Sequence, residues 1–385
     1  MFNFFNNKRE DMKLLFSSVK KFCDKNIEPN YSAWENEGIF PKSFWQKLGQ
    51  SGFLCIDIPE KYGGSGADSE LAMSVPSIIS YENFGSISVS MSVHSDIVAH
   101  YILNLGTEDQ KQAYLPKMAS GECIGAIAMT EPAAGSDLQG IKTHAKFDGN
   151  NWILNGSKTF ITNGQHADII IVAAKTNLQT KGSAGISLFL VNANSEGFSK
   201  GRNLEKLGLH SSDTSELFFN ELTLPKDSIL GGENKGFIAL MKELPRERLV
   251  LAINAVAAVR GMLDITSNYV KEREAFGKPI AKFQNLRFKF AEMETKYRLN
   301  SSFIKECIDL FQNNNLDTSS ASMAKLASTE TQCEVADTCL QMFGGYGYMK
   351  EYPISRAFAD ARIQKIYGGT SEIMLELISR DSLTI

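Results

Sequence analysis

Apolar residues near the start of the chain recur at the three- and four-residue spacings of an amphipathic α-helix. The first apolar stripe consists of Met12, Leu15, Phe16, Val19 and Phe22. This pattern predicts helices from Glu10 to about Leu115, and a second helical set within that region covers Leu71 to Leu103. The Gly63-Gly64-Ser65-Gly66 cluster lacks the spacing of a dinucleotide-binding fingerprint, so it is predicted to be a loop.

The apolar period changes from helical to alternating between Gly121 and about Leu230. Short apolar runs in this segment predict strands that begin near Cys123, Trp152, Ile169, Ile186 and Glu216. The tetrapeptide Asp148-Gly149-Asn150-Asn151 has the composition of a hairpin turn between two strands. The segment is therefore predicted to be a small all-β domain.

From Gly231-Gly232 to the end of the chain the pattern is helical again. One long amphipathic helix is marked by Phe283, Leu286, Phe290, Met293 and Tyr297. Asn313-Asn314-Asn315 is expected to end that helix, and another is predicted from Ala321 to Leu340. Long helices with short connections predict a bundle. The chain is thus expected to be an α+β multi-domain protein with domains at 1–120, 121–230 and 231–385.

Composition narrows the possible functions. The 385 residues carry a formal net charge of −4, which gives no basic surface for nucleic acid. No continuous apolar run reaches the roughly 18 residues of a membrane span, so none is predicted. The six cysteines form no Cys-x-x-Cys pair and the five histidines lack metal-ligand spacing, so we expect no metal site. Scattered thiols and an early charged pair, Lys8-Arg9, predict a reducing, cytoplasmic location without a secretory signal.

Two strand ends carry the first candidate chemistry. The run through Met129-Thr130-Glu131-Pro132 ends the first predicted strand, and Phe160-Ile161-Thr162 ends the second. A threonine hydroxyl beside exposed amides at each end suits a flat heterocycle with donors and acceptors along its edge. Judged from these residues alone, an ordinary β-domain turn remains the simpler interpretation, because turns of this composition are common.

Two longer motifs favour the heterocycle site over an ordinary turn. Met-Thr-Glu-Pro-x-x-Gly-Ser-Asp at 129–137, followed by Asn-Gly-x-Lys-x-Phe-Ile-Thr-Asn-Gly at 155–164, resembles the flavin-binding strands of the acyl-CoA dehydrogenase family. The resemblance continues in order through 272–278, 341–347 and 366–373, and so runs nearly end to end. It implies an N-terminal helical domain, a small β-barrel-like middle domain and a C-terminal four-helix bundle. It also implies FAD as the cofactor.

The resemblance assigns residues to the cofactor site. Met129, Thr130, Ser136, Phe160, Ile161 and Thr162 match positions that line the flavin ring, with Phe160 where the family often has Trp. Arg273 matches an arginine on the FAD pyrophosphate, where a planar guanidinium can bind phosphate bidentately. Adenosine-side contacts match Gln284, Gln341, Gly344 and Gly345, which in relatives come from a neighbouring subunit. The remaining positions expected at the cofactor are Ile127, Gly135, Phe276, Met342, Thr370, Ser371 and Glu372.

One departure from the common family pattern concerns the catalytic base. Many members carry Glu where this chain has Gly368, which has no side chain to accept a proton. The branch that includes long-chain and isovaleryl-CoA dehydrogenases places the base at the start of a bundle helix, and Glu247 matches that position. From the residues alone, an acid two places after Pro245 suits an ordinary helix start. Residues expected at the substrate are Ser136, Pro245, Arg246, Arg248, Gly368 and Gly369.

The resemblance therefore implies FAD-dependent α,β-dehydrogenation of a medium- to long-chain acyl-CoA to a trans-2-enoyl-CoA, as in fatty-acid β-oxidation. Its expected partners are an electron-transferring flavoprotein and three further copies in a homotetramer. Two alternatives stay open: an oxidase-like enzyme that passes electrons to oxygen, and a non-catalytic flavin or acyl-CoA binding protein. A carrier-protein thioester could also replace CoA.

Overall fold

The first apolar stripe forms helix α1, Glu10–Phe22, which buries Met12 and Val19. Acidic residues in its first turn and lysines in its last turn complement the helix dipole. The structure is a computed structural model that describes residues 2, 4–6, 8–180 and 182–384. Six further helices follow in the N-terminal region: α2 Glu28–Glu37, α3 Ser43–Gln50, α4 Ser69–Tyr81, α5 Gly85–Met91, α6 Ala99–Leu105 and α7 Glu108–Ala119.

A π-helical segment, Ser92–Val98, joins α5 to α6. Short π segments inside α-helices are rare and often occur beside functional sites. The predicted helical set from Leu71 to Leu103 is therefore present as α4 and this interrupted α5–α6 helix. The glycine cluster at 63–66 lies in a loop, as predicted.

The middle of the chain forms an eight-stranded mixed sheet with the order β6-β7-β3-β2-β4-β5-β8, and β1 pairs in parallel with β4. The strands are β1 Gly125–Ala128, β2 His144–Phe147, β3 Asn151–Thr162, β4 Ile169–Lys175, β5 Ile186–Asn192, β6 Phe198–Asn203, β7 Thr214–Pro225 and β8 Ile229–Leu230. The predicted hairpin joins β2 to β3, where the Asp148 N–H donates to the Asn151 carbonyl at 3.0 Å. Strand β2 was predicted only indirectly, as the first arm of that hairpin. Strand β6 was not predicted because polar residues interrupt its alternation, and β8 was not predicted because it has only two residues.

Strand β4 contributes to two hydrophobic cores. Ile169 and Ile171 join the large core shared with the helices. Ile170 and Val172 join a second core on the other face of the sheet. Alternating side chains of one strand therefore fasten the sheet to both helical regions and fill the sheet's own interior.

The C-terminal region is a helical bundle in which α10 packs against α8, α9, α11 and α12. The helices are α8 Gly236–Glu272, α9 Gln284–Gln312, α10 Thr318–Phe343, α11 Pro353–Ala361 and α12 Ser371–Leu383. The short strands β9 Glu274–Ala275 and β10 Lys278–Pro279 form a hairpin between α8 and α9.

Helix α8 corrects one expectation about where a bundle helix begins. The helix starts at Gly236, so Pro245 and Glu247 lie well inside it rather than in its first turn. Apolar packing on both sides sustains the helix past the proline, which removes one hydrogen bond. One window of α8 has the length and composition to cross a membrane, but 78% of that window is buried within the molecule, as in a core helix.

Candidate active site

Glu247 is a buried carboxylate on α8, with 4% of its surface exposed. The Tyr101 hydroxyl, on α6, donates a hydrogen bond of 2.8 Å to Glu247 Oε1. Burial raises the pKa of Glu247 to about 7, and the negative charge of Glu243 acts in the same direction. The Tyr101 hydrogen bond and the Arg248 cation oppose that rise. A carboxylate with a pKa near neutrality is suited to accepting and releasing a proton at physiological pH.

The Gly368-Gly369 turn packs on the same helix, at Leu251 and Arg248. Both glycines have positive φ, 63° and 97°, which disfavours any other residue. A Cβ on Gly368 would lie 2.5 Å from Leu251 Cδ1, and one on Gly369 would lie 3.9 Å from Arg248 Nη2. Within the part of the chain that the structure describes, the Gly368 N–H donates no hydrogen bond. The turn thus offers a free backbone donor and no base of its own.

Two buried cations support this turn. The Lys325 ammonium, fully buried on α10, donates to the Gly369 carbonyl at 2.7 Å. Arg248 is 3% exposed and donates to the Ser322 hydroxyl at 3.3 Å, while its Nε has no partner. Burial lowers the pKa of Lys325 to about 8, and the Arg248 cation adds to that effect. Neither cation forms a direct ion pair with a carboxylate of the described residues, although Glu247 acts on Arg248 and Glu330 on Lys325 at longer range.

Arg246 occupies a different environment from the one expected. Its guanidinium donates to Asp57 Oδ2 at 2.8 Å and to the Asp96 carbonyl at 2.9 Å. Asp57 also contacts His100 Nε2 at 3.1 Å, which closes a buried ionic cluster. These contacts hold α8 against the N-terminal region, and the contact of Arg246 with substrate stays a prediction. Pro245 is half-buried beside it and supplies no polar group.

The ends of β1 and β3 meet at one edge of the sheet. The Thr159 N–H donates to the Thr130 carbonyl at 2.9 Å, so the two predicted flavin strands are joined there. Phe160 has a φ of 60° and is 67% exposed, an unfavourable arrangement for an aromatic residue. Such strain at an exposed position is characteristic of a ligand site.

A buried ion pair lies directly behind this edge. The Lys158 ammonium donates to Glu131 Oε1 at 2.8 Å and to the Met129 carbonyl at 2.9 Å. Glu131 also accepts from the backbone N–H groups of Lys142 and Thr143. The pair therefore fixes the turn that presents Met129. Neither Glu131 nor Lys158 was among the predicted site residues, although each lies inside one of the two motifs that indicated the site.

The other residues expected at the flavin ring vary in exposure. Gly135 and Ser136 are exposed, whereas Ile127, Met129, Thr130 and Thr162 are half-buried. Ile161 points into the sheet core, so only its backbone can contact a ligand. Thr370 caps α12 by accepting from the Ile373 N–H, the Ser371 hydroxyl donates to Glu330, and Glu372 is exposed.

A second group of expected cofactor residues gathers where α8, α9 and α10 meet. The Arg273 guanidinium lies 5.8 Å from the ring centre of Tyr346 and is exposed, with no ion pair among the described residues. Gly344 has a φ of 59°, and a Cβ on it or on Gly345 would meet nothing within 4 Å. Phe276 is 95% exposed. The remaining members are Gln284 and Gln341, both exposed, and Met342, which is buried.

This chemistry fits FAD. A free guanidinium and an open glycine backbone suit the pyrophosphate and adenosine, and the strand ends suit the flavin ring. A helix–sheet–helix chain with these two surfaces and a buried carboxylate defines a flavin-dependent oxidoreductase.

The chain belongs to the acyl-CoA dehydrogenase family. Models of the family's N-terminal, middle and C-terminal domains match residues 9–122, 126–222 and 234–383. The family is FAD-dependent and acts on acyl-CoA.

Individual relatives match over nearly their whole length. The mitochondrial long-chain specific acyl-CoA dehydrogenase of Sus scrofa is 50% identical over 94% of this chain and 84% of its own length. The crystal structure of an acyl-CoA dehydrogenase from Geobacillus kaustophilus is 46% identical with a TM-score of 0.95, covering 97% of this chain and 98% of that one. A Mycobacterium smegmatis glutaryl-CoA dehydrogenase in complex with FADH2 is 28% identical with a TM-score of 0.92, covering 98% and 95%.

Proposed function

We propose that this protein dehydrogenates a medium- to long-chain acyl-CoA to the trans-2-enoyl-CoA, with Glu247 as the base. The observation that carries this proposal is that buried Glu247 lies on α8 next to Arg248 and one turn before Leu251, the two residues of this helix that meet the Gly368-Gly369 turn. The position used by many relatives for the base has no side chain here, whereas Glu247 has a pKa raised to about 7 by burial.

Each residue has a defined task in this reaction. Glu247 removes the proton from the carbon next to the thioester carbonyl. The free Gly368 N–H donates to the carbonyl oxygen as negative charge develops there. Arg248 and Lys325 add positive potential on the same side, which favours that charge. Arg273 would hold the pyrophosphate of bound FAD, and the flavin would supply the acceptor for the hydride of the β-carbon.

The pH dependence follows from the charge that Glu247 needs. Only the deprotonated carboxylate can accept the α-proton, so the rate should rise with pH through the pKa of about 7 and level off above it. A glutamate with its usual pKa of about 4.3 would already be almost fully ionised, and so almost fully active, at pH 6.

The proposals for acyl chain length, electron acceptor and oligomeric state rest on the relatives and on the exposed residues of this chain. The Sus scrofa relative is named as long-chain specific, which supports a long acyl group here. Exposed Phe276 and Arg273 suit a cofactor shared between copies, which supports the homotetramer. We further propose electron-transferring flavoprotein as acceptor, in line with the family resemblance. Six unpaired cysteines, five of them buried, support a reducing location such as the cytoplasm.

Anaerobic titration with acyl-CoA tests the proposed function. Purified protein should be yellow and should bleach when palmitoyl-CoA is added without oxygen. Binding without bleaching would identify a non-catalytic flavin or acyl-CoA binding protein. Fast reoxidation in air with release of peroxide would identify an oxidase.

A further inference from the structure

Two polar residues of α6 face two acids of α8. The Tyr101 hydroxyl donates to Glu247 Oε1 at 2.8 Å, and the Asn104 amide donates to Glu243 Oε1 at 2.9 Å. Tyr101 and Asn104 are three positions apart on α6, and Glu243 and Glu247 are four positions apart on α8. The two donors therefore lie about one helical turn apart, and so do the two acids. Nothing in the reaction described above uses Tyr101, Asn104 or Glu243.

A simpler interpretation of Tyr101 is that its hydroxyl needs a partner because the side chain is fully buried. Any acceptor would meet that need. The acceptor is, however, the carboxylate assigned as base. A hydrogen bond to a charged carboxylate stabilises its deprotonated form. Deleting the hydroxyl should therefore alter the titration of Glu247 and not only the packing.

The contact also distinguishes the two oxygens of the base. Tyr101 binds Oε1, whereas no described residue donates to Oε2. An oxygen that already accepts a hydrogen bond is a poorer proton acceptor than a free one. The arrangement directs proton transfer to Oε2.

We propose that Tyr101 is a positioning residue for the reaction: it holds Glu247 by Oε1, keeps the carboxylate ionised in a buried site and leaves Oε2 to take the α-proton. This inference rests on the proposed function of Glu247. It assigns to α6 a direct part in setting the pH range of the enzyme.

The charged and titratable groups around Glu247 are few. Tyr101 faces it from α6, and Glu243 and Arg248 act on it from α8 itself. The Gly368-Gly369 turn packs on the same helix and contributes no titratable side chain. Burial and Glu243 raise the pKa of Glu247, whereas the Tyr101 hydrogen bond and Arg248 lower it. Removing the Tyr101 hydroxyl should therefore raise this pKa, because only Arg248 is left to lower it.

The test is the pH profile of flavin reduction by palmitoyl-CoA, measured anaerobically at limiting substrate in FAD-loaded Tyr101→Phe. We expect the acid limb to move to higher pH by about one unit, with about a tenfold loss at pH 6 and little loss at pH 9. Tyr81→Phe is the matched control, because Tyr81 donates to Asp264 of the same helix at 3.0 Å. Its profile should equal that of the parent protein. If the acid limb of the Tyr101→Phe profile does not move, or if the rate falls by the same factor at every pH, the inference is overturned.

Glu243→Gln provides an independent variant if Tyr101→Phe does not fold. It keeps an acceptor for Asn104 and removes the neighbouring negative charge, so the limb should move to lower pH. A limb that stays in place or moves to higher pH would contradict the network described here. Glu247→Gln separates the two proposals. If it still reduces flavin, the proposed base is wrong, and if it is inactive while neither variant shifts the limb, only the role of Tyr101 is wrong.

Discussion

Leu251 Cδ1 lies 2.5 Å from the position that a Cβ on Gly368 would take. Leu251 is one helical turn beyond Glu247 on α8 and is 7% exposed. A methyl group of Leu251 thus takes the space that the side chain of a base at position 368 would fill, and it packs against the glycine backbone. Because Gly368 also has a φ of 63°, a carboxylate-bearing residue at this position would be strained.

We predict that Glu247→Gly with Gly368→Glu reduces flavin only slowly, because the φ of 63° strains the new residue and the end of the Leu251 side chain must turn aside for it. Adding Leu251→Ala should recover part of the flavin reduction, since it removes the colliding atoms and leaves room for the carboxylate. The control is Glu247→Gly with Leu251→Ala, which has the space but no base. Equal rates with and without Leu251→Ala in the Gly368→Glu background would show that the collision is not the obstacle.

Arg273→Ala is expected to weaken FAD retention with little effect on the fold. The exposed guanidinium has no ion pair among the residues described, so its loss leaves no buried charge. Charge-assisted bonds to the pyrophosphate contribute about 1.5–3 kcal/mol each, so FAD affinity should fall about ten- to a hundredfold or more. Flavin content after dialysis is the measurement, and Lys271→Ala, an exposed cation two positions earlier, is the control. Full flavin content in Arg273→Ala would contradict the assignment.

Lys158→Met should destabilise the protein more than most surface changes, because Glu131 would keep a buried charge without its cation. Breaking a buried pair on one side costs about 3–5 kcal/mol. The free energy of unfolding in urea is the measurement. Lys158→Met with Glu131→Gln should recover much of the loss, since no charge is left unpaired. A single variant as stable as the double variant would show that the ion pair does not hold the flavin turn.

Acyl chains of about twelve carbons or more should react with a higher kcat/KM than butyryl-CoA. Each methylene buried in the acyl site adds about 0.8 kcal/mol until the site is filled. A series of acyl-CoAs from four to eighteen carbons measures this directly. A maximum at butyryl-CoA would remove the long-chain assignment and leave the chemistry unchanged.

The sequence patterns predicted most of the fold because helices and central strands have strong apolar periods. Strand β6, Phe198–Asn203, escaped prediction because polar and glycine residues interrupt its alternation. Glu247 was found by family resemblance, since an acid shortly after a proline is also typical of a helix start. Its helix begins much earlier, at Gly236.

The contacts that prepare the site could not be predicted. Tyr101 and Glu247 are 146 positions apart, and Lys325 reaches Gly369 across 44 positions. No local pattern encodes such pairings, because they depend on how α6, α8 and α10 pack. The same reason applies to Arg246, which the family resemblance placed among the substrate residues, and whose acidic partners Asp57 and Asp96 come from distant segments.

The rate of anaerobic flavin reduction in Glu247→Gln is the most direct test of Glu247 as the catalytic base. The change keeps the size of the side chain and an acceptor for Tyr101 but removes the basic oxygen. With palmitoyl-CoA at saturation and at pH 8 or above, where Glu247 is ionised in the parent protein, the rate should fall by about a hundredfold or more, while acyl-CoA still binds and perturbs the flavin spectrum. Reduction at a rate close to that of the parent protein would contradict the assignment of Glu247 as the base.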